Sequence, residues 1–108
     1  MSNKLILDTS AWVEYLAGSE RGRKIREIIK EENTIILATG LIAAELTAKY
    51  IKENKQEQDA FEALRALTIT IPFDMMLGAN TARLYVMHRK TRKKFGLADA
   101  HILAAAQT

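Results

Sequence analysis

The chain has 108 residues, 48% of them hydrophobic and 27% charged, with a formal net charge of +3. That is room for one small domain, taken as 1–108, with the composition of an ordinary globular protein rather than a disordered one. There is no cysteine, which excludes a disulfide framework and a thiolate zinc site. No apolar run approaches the roughly 18 residues of a membrane span, and no signal-peptide core precedes Asp8, so a cytoplasmic protein with no membrane partner is expected.

In chain order, Leu5, Ile6 and Leu7 form a short apolar run without helical spacing, which predicts a parallel strand buried on both faces. It ends at Asp8, followed by two hydroxyl residues, Thr9 and Ser10. Trp12, Tyr15 and Leu16 then fall at i, i+3, i+4 and begin a helix with one apolar face. Asp8 thus stands at the carboxyl end of a strand, where open α/β sheets bind their ligands. Either it ligates a cation, or one of Asp8, Thr9 and Ser10 caps the helix.

Gly18 through Gly22 reads as a loop. Ile25, Ile28 and Ile29 mark a second helix reaching about Glu32, broken by Asn33-Thr34. Residues 34–39, TIILAT, are rich in β-branched residues and predict a second buried strand, parallel to the first across the helical crossover.

A helix from about Leu41 to Lys52 follows, with Ile42, Leu46 and Tyr50 as its buried stripe and Glu45 one position off that stripe. After the polar stretch ENKQEQ, another amphipathic helix buries Ala60, Phe61, Leu64 and Leu67. Residues 68–73, TITIPF, close with the only proline and predict a third, edge strand. Asp74 is placed to cap the next helix, in which Leu77 and Leu84 share a face, and which runs into a basic cluster and stops near Gly96.

That cluster, Arg89, Lys90, Arg92, Lys93 and Lys94, puts five cations into six positions. It reads either as a solvated helix end, where cations suit the helix dipole, or as a patch that holds a phosphate backbone. In the last segment, LADAHILAAAQT, Ala98, Ile102 and Ala105 or Ala106 define a small-residue face, and Asp99 sits in the first turn. His101, two positions on, does not share a face with Asp99 and is expected in packing or at the surface. His88 is expected on a solvated face, and Trp12 and Tyr15 in the core or against a partner. Alternating strands and helices specify an α/β domain with a parallel sheet.

Asp8, Glu45 and Asp99 are the acids such a sheet would gather on its carboxyl-end side. Clustered carboxylates repel unless a cation neutralises them, and an all-oxygen set suits Mg²⁺ or Mn²⁺. Such an ion makes a bound water acidic and steadies charge on a phosphodiester. Spacing alone carries this only weakly.

The segments LILDTSAWVEYLAGSERG, ATGLIAAELTAKY and GLADAHILAAA together resemble PIN-domain proteins, and within them the VapC-type ribonuclease toxins of toxin–antitoxin pairs. The resemblance covers essentially the whole chain. It implies a three-layer α/β/α fold with a parallel central sheet and the first strand central. It also implies an endoribonuclease dependent on Mg²⁺ or Mn²⁺, with Asp8, Glu45 and Asp99 at the metal site and Ser10 supporting it. Implied partners are RNA, held in part by the cluster at 89–94, a cognate antitoxin and a second copy of the chain.

One departure accompanies the resemblance: the family's further strands and fourth acid, past the equivalent of Ala106, have no counterpart here. That predicts a C-terminally truncated domain whose strand at Leu5–Leu7 lacks a neighbour on one side and invites self-association. The chain is then a fragment or a natural variant. The alternatives to a toxin are a catalytically weak or inactive PIN module that binds RNA or a protein, and a PIN nuclease of RNA processing without an antitoxin.

Overall fold

The computed structural model describes residues 3–108. The chain forms two compact units, one through Ile71 and one from Pro72 to Thr108.

The first unit carries a parallel sheet of three strands in the order β1-β2-β3. Strand β1 is Asn3–Ile6, β2 is Thr34–Ala38 and β3 is Ile69–Thr70. Leu5 pairs with Ile36, and Leu37 with Ile69. Strand β2 thus takes the middle, and among the described residues β1 has β2 as its one strand neighbour, the open side expected for Leu5–Leu7. The expected burial on both faces does not hold: Asn3, Lys4 and Leu5 are exposed, because an edge position in the sheet gives a strand less cover than a central one. The third strand is shorter than the expected 68–73, although Ile71 N–H still donates to the Ala38 carbonyl at 2.8 Å.

Four helices accompany this sheet: α1 (Thr9–Ala17), α2 (Glu20–Lys30), α3 (Gly40–Lys52) and α4 (Glu57–Leu67). Helix α1 ends on Gly18, whose φ of +67° is the left-handed cap that glycine adopts without cost. The loop expected over Glu20–Gly22 is instead the first turn of α2. Ser19 caps it, its hydroxyl accepting from Gly22 N–H at 3.0 Å and donating to the Glu14 carboxylate. Gly22 is there for contact rather than for a turn: a Cβ would lie 2.0 Å from the Glu14 carbonyl oxygen, so α1 and α2 cross with backbones nearly touching. Asn33, at φ +70°, turns the chain from α2 into β2.

Along α3, Ile42, Leu46 and Tyr50 are buried as the i, i+4, i+8 spacing predicts. Along α4, Ala60 and Leu64 are buried, but Phe61 is 50% exposed. Its membership of the core is corrected, since one face of a two-sided helix cannot also hold the residue beside it.

The second unit is a helix pair, α5 (Met75–Arg89) and α6 (Leu97–Ala106), packed on each other. Asp74 caps α5 as expected, Oδ1 accepting from Leu77 N–H at 2.9 Å. Helix α5 stops at Arg89, so most of the basic cluster lies in the turn between helices rather than on a helix end. The buried face of α6 is Ala100, His101, Ala104 and Ala105. Of the expected face Ala105 is buried, while Ala98 and Ile102 are half-buried and Ala106 is exposed, so the buried side is rotated toward Ala100, His101 and Ala104.

Candidate functional site

Asp8 sits two residues beyond β1, in extended backbone, as the N-cap of α1. Its Oδ1 accepts from Ala11 N–H at 2.8 Å and from the Ser10 hydroxyl at 3.1 Å. Capping is therefore one role of this carboxylate, and Ser10 fixes its orientation. Both bonds fall on the same oxygen, so the cap does not consume the acid, and the group stays exposed.

Glu45 is half-buried in the second turn of α3, a helix that starts two residues after β2 ends, with Thr39 as its cap. Because β1 and β2 are parallel neighbours, the chain leaves both at the same edge of the sheet. Asp8 and the start of the helix bearing Glu45 therefore share that carboxyl edge.

Asp99 belongs to the second unit. It lies in the first turn of α6, exposed, with Oδ2 accepting from Gly96 N–H at 2.8 Å. This acid closes the open end of its helix where its charge also favours the dipole. Among the described residues, no three His, Asp or Glu side chains form a group able to hold a metal ion. In kind, however, the donors suit a hard cation: carboxylate and hydroxyl oxygens, with no thiolate competing.

All five cations of the basic cluster are exposed. Their turn is anchored by Phe95, buried among them, a residue that sequence reasoning passed over. Arg89 donates to the Tyr85 hydroxyl at 3.0 Å and to the Phe95 carbonyl at 3.4 Å, and the Arg92 guanidinium stands 5.8 Å from the Phe95 ring. The ring of His88 lies 5.0 Å from Phe95, so this histidine packs, half-buried, where a solvated face was expected. Only the apolar letter inside the run KTRKKF signals that anchor.

His101 is fully buried, its ring edge-on to Phe73 with centroids 4.8 Å apart. Burial pushes its pKa below the ordinary histidine value. That agrees with a packing role. Trp12 is likewise fully buried, 5.9 Å from Tyr15 in an edge-to-face pair.

The family model for the PIN domain matches residues 5–108. The chain belongs to the PIN-domain family. Its fold also matches the crystal structure of VapC20 from Mycobacterium tuberculosis, described as a toxin that cleaves the sarcin–ricin loop. The two are 15% identical, with a TM-score of 0.75 over 97% of this chain and 82% of that one. At that identity the likeness is one of fold. No curated protein matches the chain.

Proposed function

We propose that this PIN domain is a divalent-metal-dependent endoribonuclease, the toxin of a toxin–antitoxin pair. The observation that carries the proposal is the PIN match over residues 5–108, joined to Asp8 and the Glu45 helix at one carboxyl edge of a parallel sheet. Asp8, Glu45 and Asp99 would hold Mg²⁺ or Mn²⁺, with Ser10 keeping the Asp8 carboxylate in one orientation through its 3.1 Å hydrogen bond. The ion, when bound, supplies an acidified water and neutralises charge on the scissile phosphate.

The chain's own residues do the rest. The Asp8 carboxylate is pre-oriented by a backbone N–H and a hydroxyl, which lowers the ordering cost of ligation. The exposed Arg89, Lys90, Arg92, Lys93 and Lys94 attract the RNA backbone. An antitoxin and a second copy of the chain are the partners that belong to this reading, and the side of β1 that carries no strand among the described residues supports the second.

The test is cleavage of a structured RNA by the purified protein with Mn²⁺, beside EDTA and Asp8→Asn. Cutting that is metal-dependent and falls at least a hundredfold in Asp8→Asn is the expected outcome. A folded protein that binds the RNA but leaves it intact with either metal would overturn the nuclease in favour of a binding module.

A further inference from the structure

In the first unit a pocket of about 200 Å³ opens between the carboxyl ends of β2 and β3 and the helices α3 and α4. Ala38, Ala43 and Leu64 form its apolar wall, Thr39 its polar side, and Phe61 and Arg65 stand on α4 at its margin. The last two are i, i+4 neighbours on one helix face. Phe61 leaves half of its surface in water. The Arg65 side chain is 71% exposed, with Glu62 at 3.9 Å as its one ion-pair partner among the described residues.

An aromatic ring held half in water forgoes burial free energy that its neighbour Leu64, 6% exposed, collects in full. Beside it are a guanidinium and an apolar recess of about the size of a flat heterocycle. A nucleobase satisfies all three: it stacks on the ring, fills the recess, and brings a phosphate to the cation. We propose that this pocket receives one unpaired base of a single-stranded RNA, with Arg65 on that nucleotide's phosphate. The inference rests on the reading of the chain as an RNA-acting protein, and adds to it a named subsite.

Geometry separates this subsite from Asp8 and Glu45. Ala43, which lines the pocket, and Glu45 are two residues apart on α3, about 200° around the helix, so they lie on different faces. Neighbouring strands are about 4.8 Å apart, which displaces a pocket astride β2 and β3 from the end of β1 by roughly 7 Å. That is about two nucleotide steps of a stacked strand. The base held here therefore lies about two nucleotides from the strand end that carries Asp8, and the pocket sets which stretch of RNA is presented to that edge.

The experiment measures binding of fluorescent oligoadenylate and oligouridylate by anisotropy, in EDTA and in an Asp8→Asn background, where cleavage plays no part. Phe61→Leu keeps an apolar side chain and removes the ring; it should weaken binding about tenfold, while Phe61→Tyr retains it. Arg65→Gln should weaken binding and reduce its salt dependence, and Arg65→Lys should restore the salt dependence. With adenosine 5′-monophosphate as probe, the backbone amide resonances of Thr39, Gly40 and Thr68 should shift in the parent but not in Phe61→Leu.

A Phe61→Leu protein with parental circular dichroism and parental RNA affinity overturns the subsite. So does a parent that binds neither oligonucleotide. Metal-dependent cutting that is indifferent to Phe61 and Arg65 would leave the nuclease standing without the pocket. Phe61-dependent binding without cutting would leave the pocket standing without the nuclease.

Discussion

Helix α3 of the first unit and α6 of the second bury side chains of very different size. In the first, the fully buried positions include Trp12, Ile42 and Leu46, large side chains on α1 and α3. In the second, Ala100, Ala104 and Ala105 are buried along α6 beside His101, with Leu77, Thr81 and Phe95 from the rest of the unit. Large buried side chains gain free energy in proportion to the apolar area they hide. Small ones gain little area but admit close helix approach, so their contribution depends on nothing being added. An interior of the first kind fails when emptied, and one of the second kind when overfilled.

Truncation in the first unit should have the largest effect. Leu46→Ala removes a fully buried side chain and should cost about 2–5 kcal/mol in urea unfolding. A loss below about 1 kcal/mol would show that α3 can collapse onto the space, and would dissolve the contrast. The matching change in the second unit is an addition. Ala104→Leu, at a position 2% exposed, should cost about 1–3 kcal/mol through overpacking, whereas Ala106→Leu on the exposed side should be close to neutral. Equal effects at the two alanines would mean that the buried face of α6 is not tightly packed.

The next prediction concerns helix ends. Asp74→Ala removes the side-chain acceptor of Leu77 N–H and should cost about 1 kcal/mol, with Asp74→Asn recovering most of it. In the first unit α4 starts at Gln56 without a side-chain cap, so Gln56→Asp should stabilise by a comparable amount. Thermal melts of both variants would show whether the two units draw equally on capping.

The smallest effect belongs to alkaline pH. Burial raises the pKa of Tyr50 above its ordinary 10.0, against the opposing pull of the Lys55 ammonium, which lies 5.5 Å from the ring. The fold thus favours the neutral phenol. Its contribution is fully present below pH 10.0 and is lost as pH rises through the higher folded value. Tyr50→Phe should flatten that decline in stability measured by denaturant titration across the alkaline range. An unchanged slope would assign the decline to other groups.

Much of this is readable in the sequence. The stripe Ile42, Leu46, Tyr50 and the cap at Asp74 were legible because both rest on spacing within one helix. The parallel pairing of β1 with β2 followed from two short apolar runs joined by a helical crossover. Where the reading failed, the packing of one surface on another had the deciding role. Glu20–Gly22 looks like a loop because glycine usually breaks helices; it is helical because Gly22 lies against the backbone of Glu14. Phe61 looks like core because it is aromatic and beside Ala60; it is half-exposed because Ala60 and Leu64 already fill the inward face.

The candidate site divides the same way. Asp8 at the end of β1, Glu45 early in α3 and Asp99 in the first turn of α6 were placed by pattern alone. That Ser10 donates to Asp8, that Asp99 accepts from Gly96 N–H, and that Phe95 anchors the basic turn required side-chain positions.

The sequence by itself determined the family, the order of strands and helices, and the placement of each acid on its own element. These depend on hydrophobic period, capping chemistry and motif, all of which act over a few consecutive residues. Only the tertiary structure decided that β2 takes the middle of the sheet, which face of α6 is buried, and that Phe61 and Arg65 flank a recess. Each of those depends on which surfaces meet, and burial is a property of the pair of surfaces rather than of either segment alone.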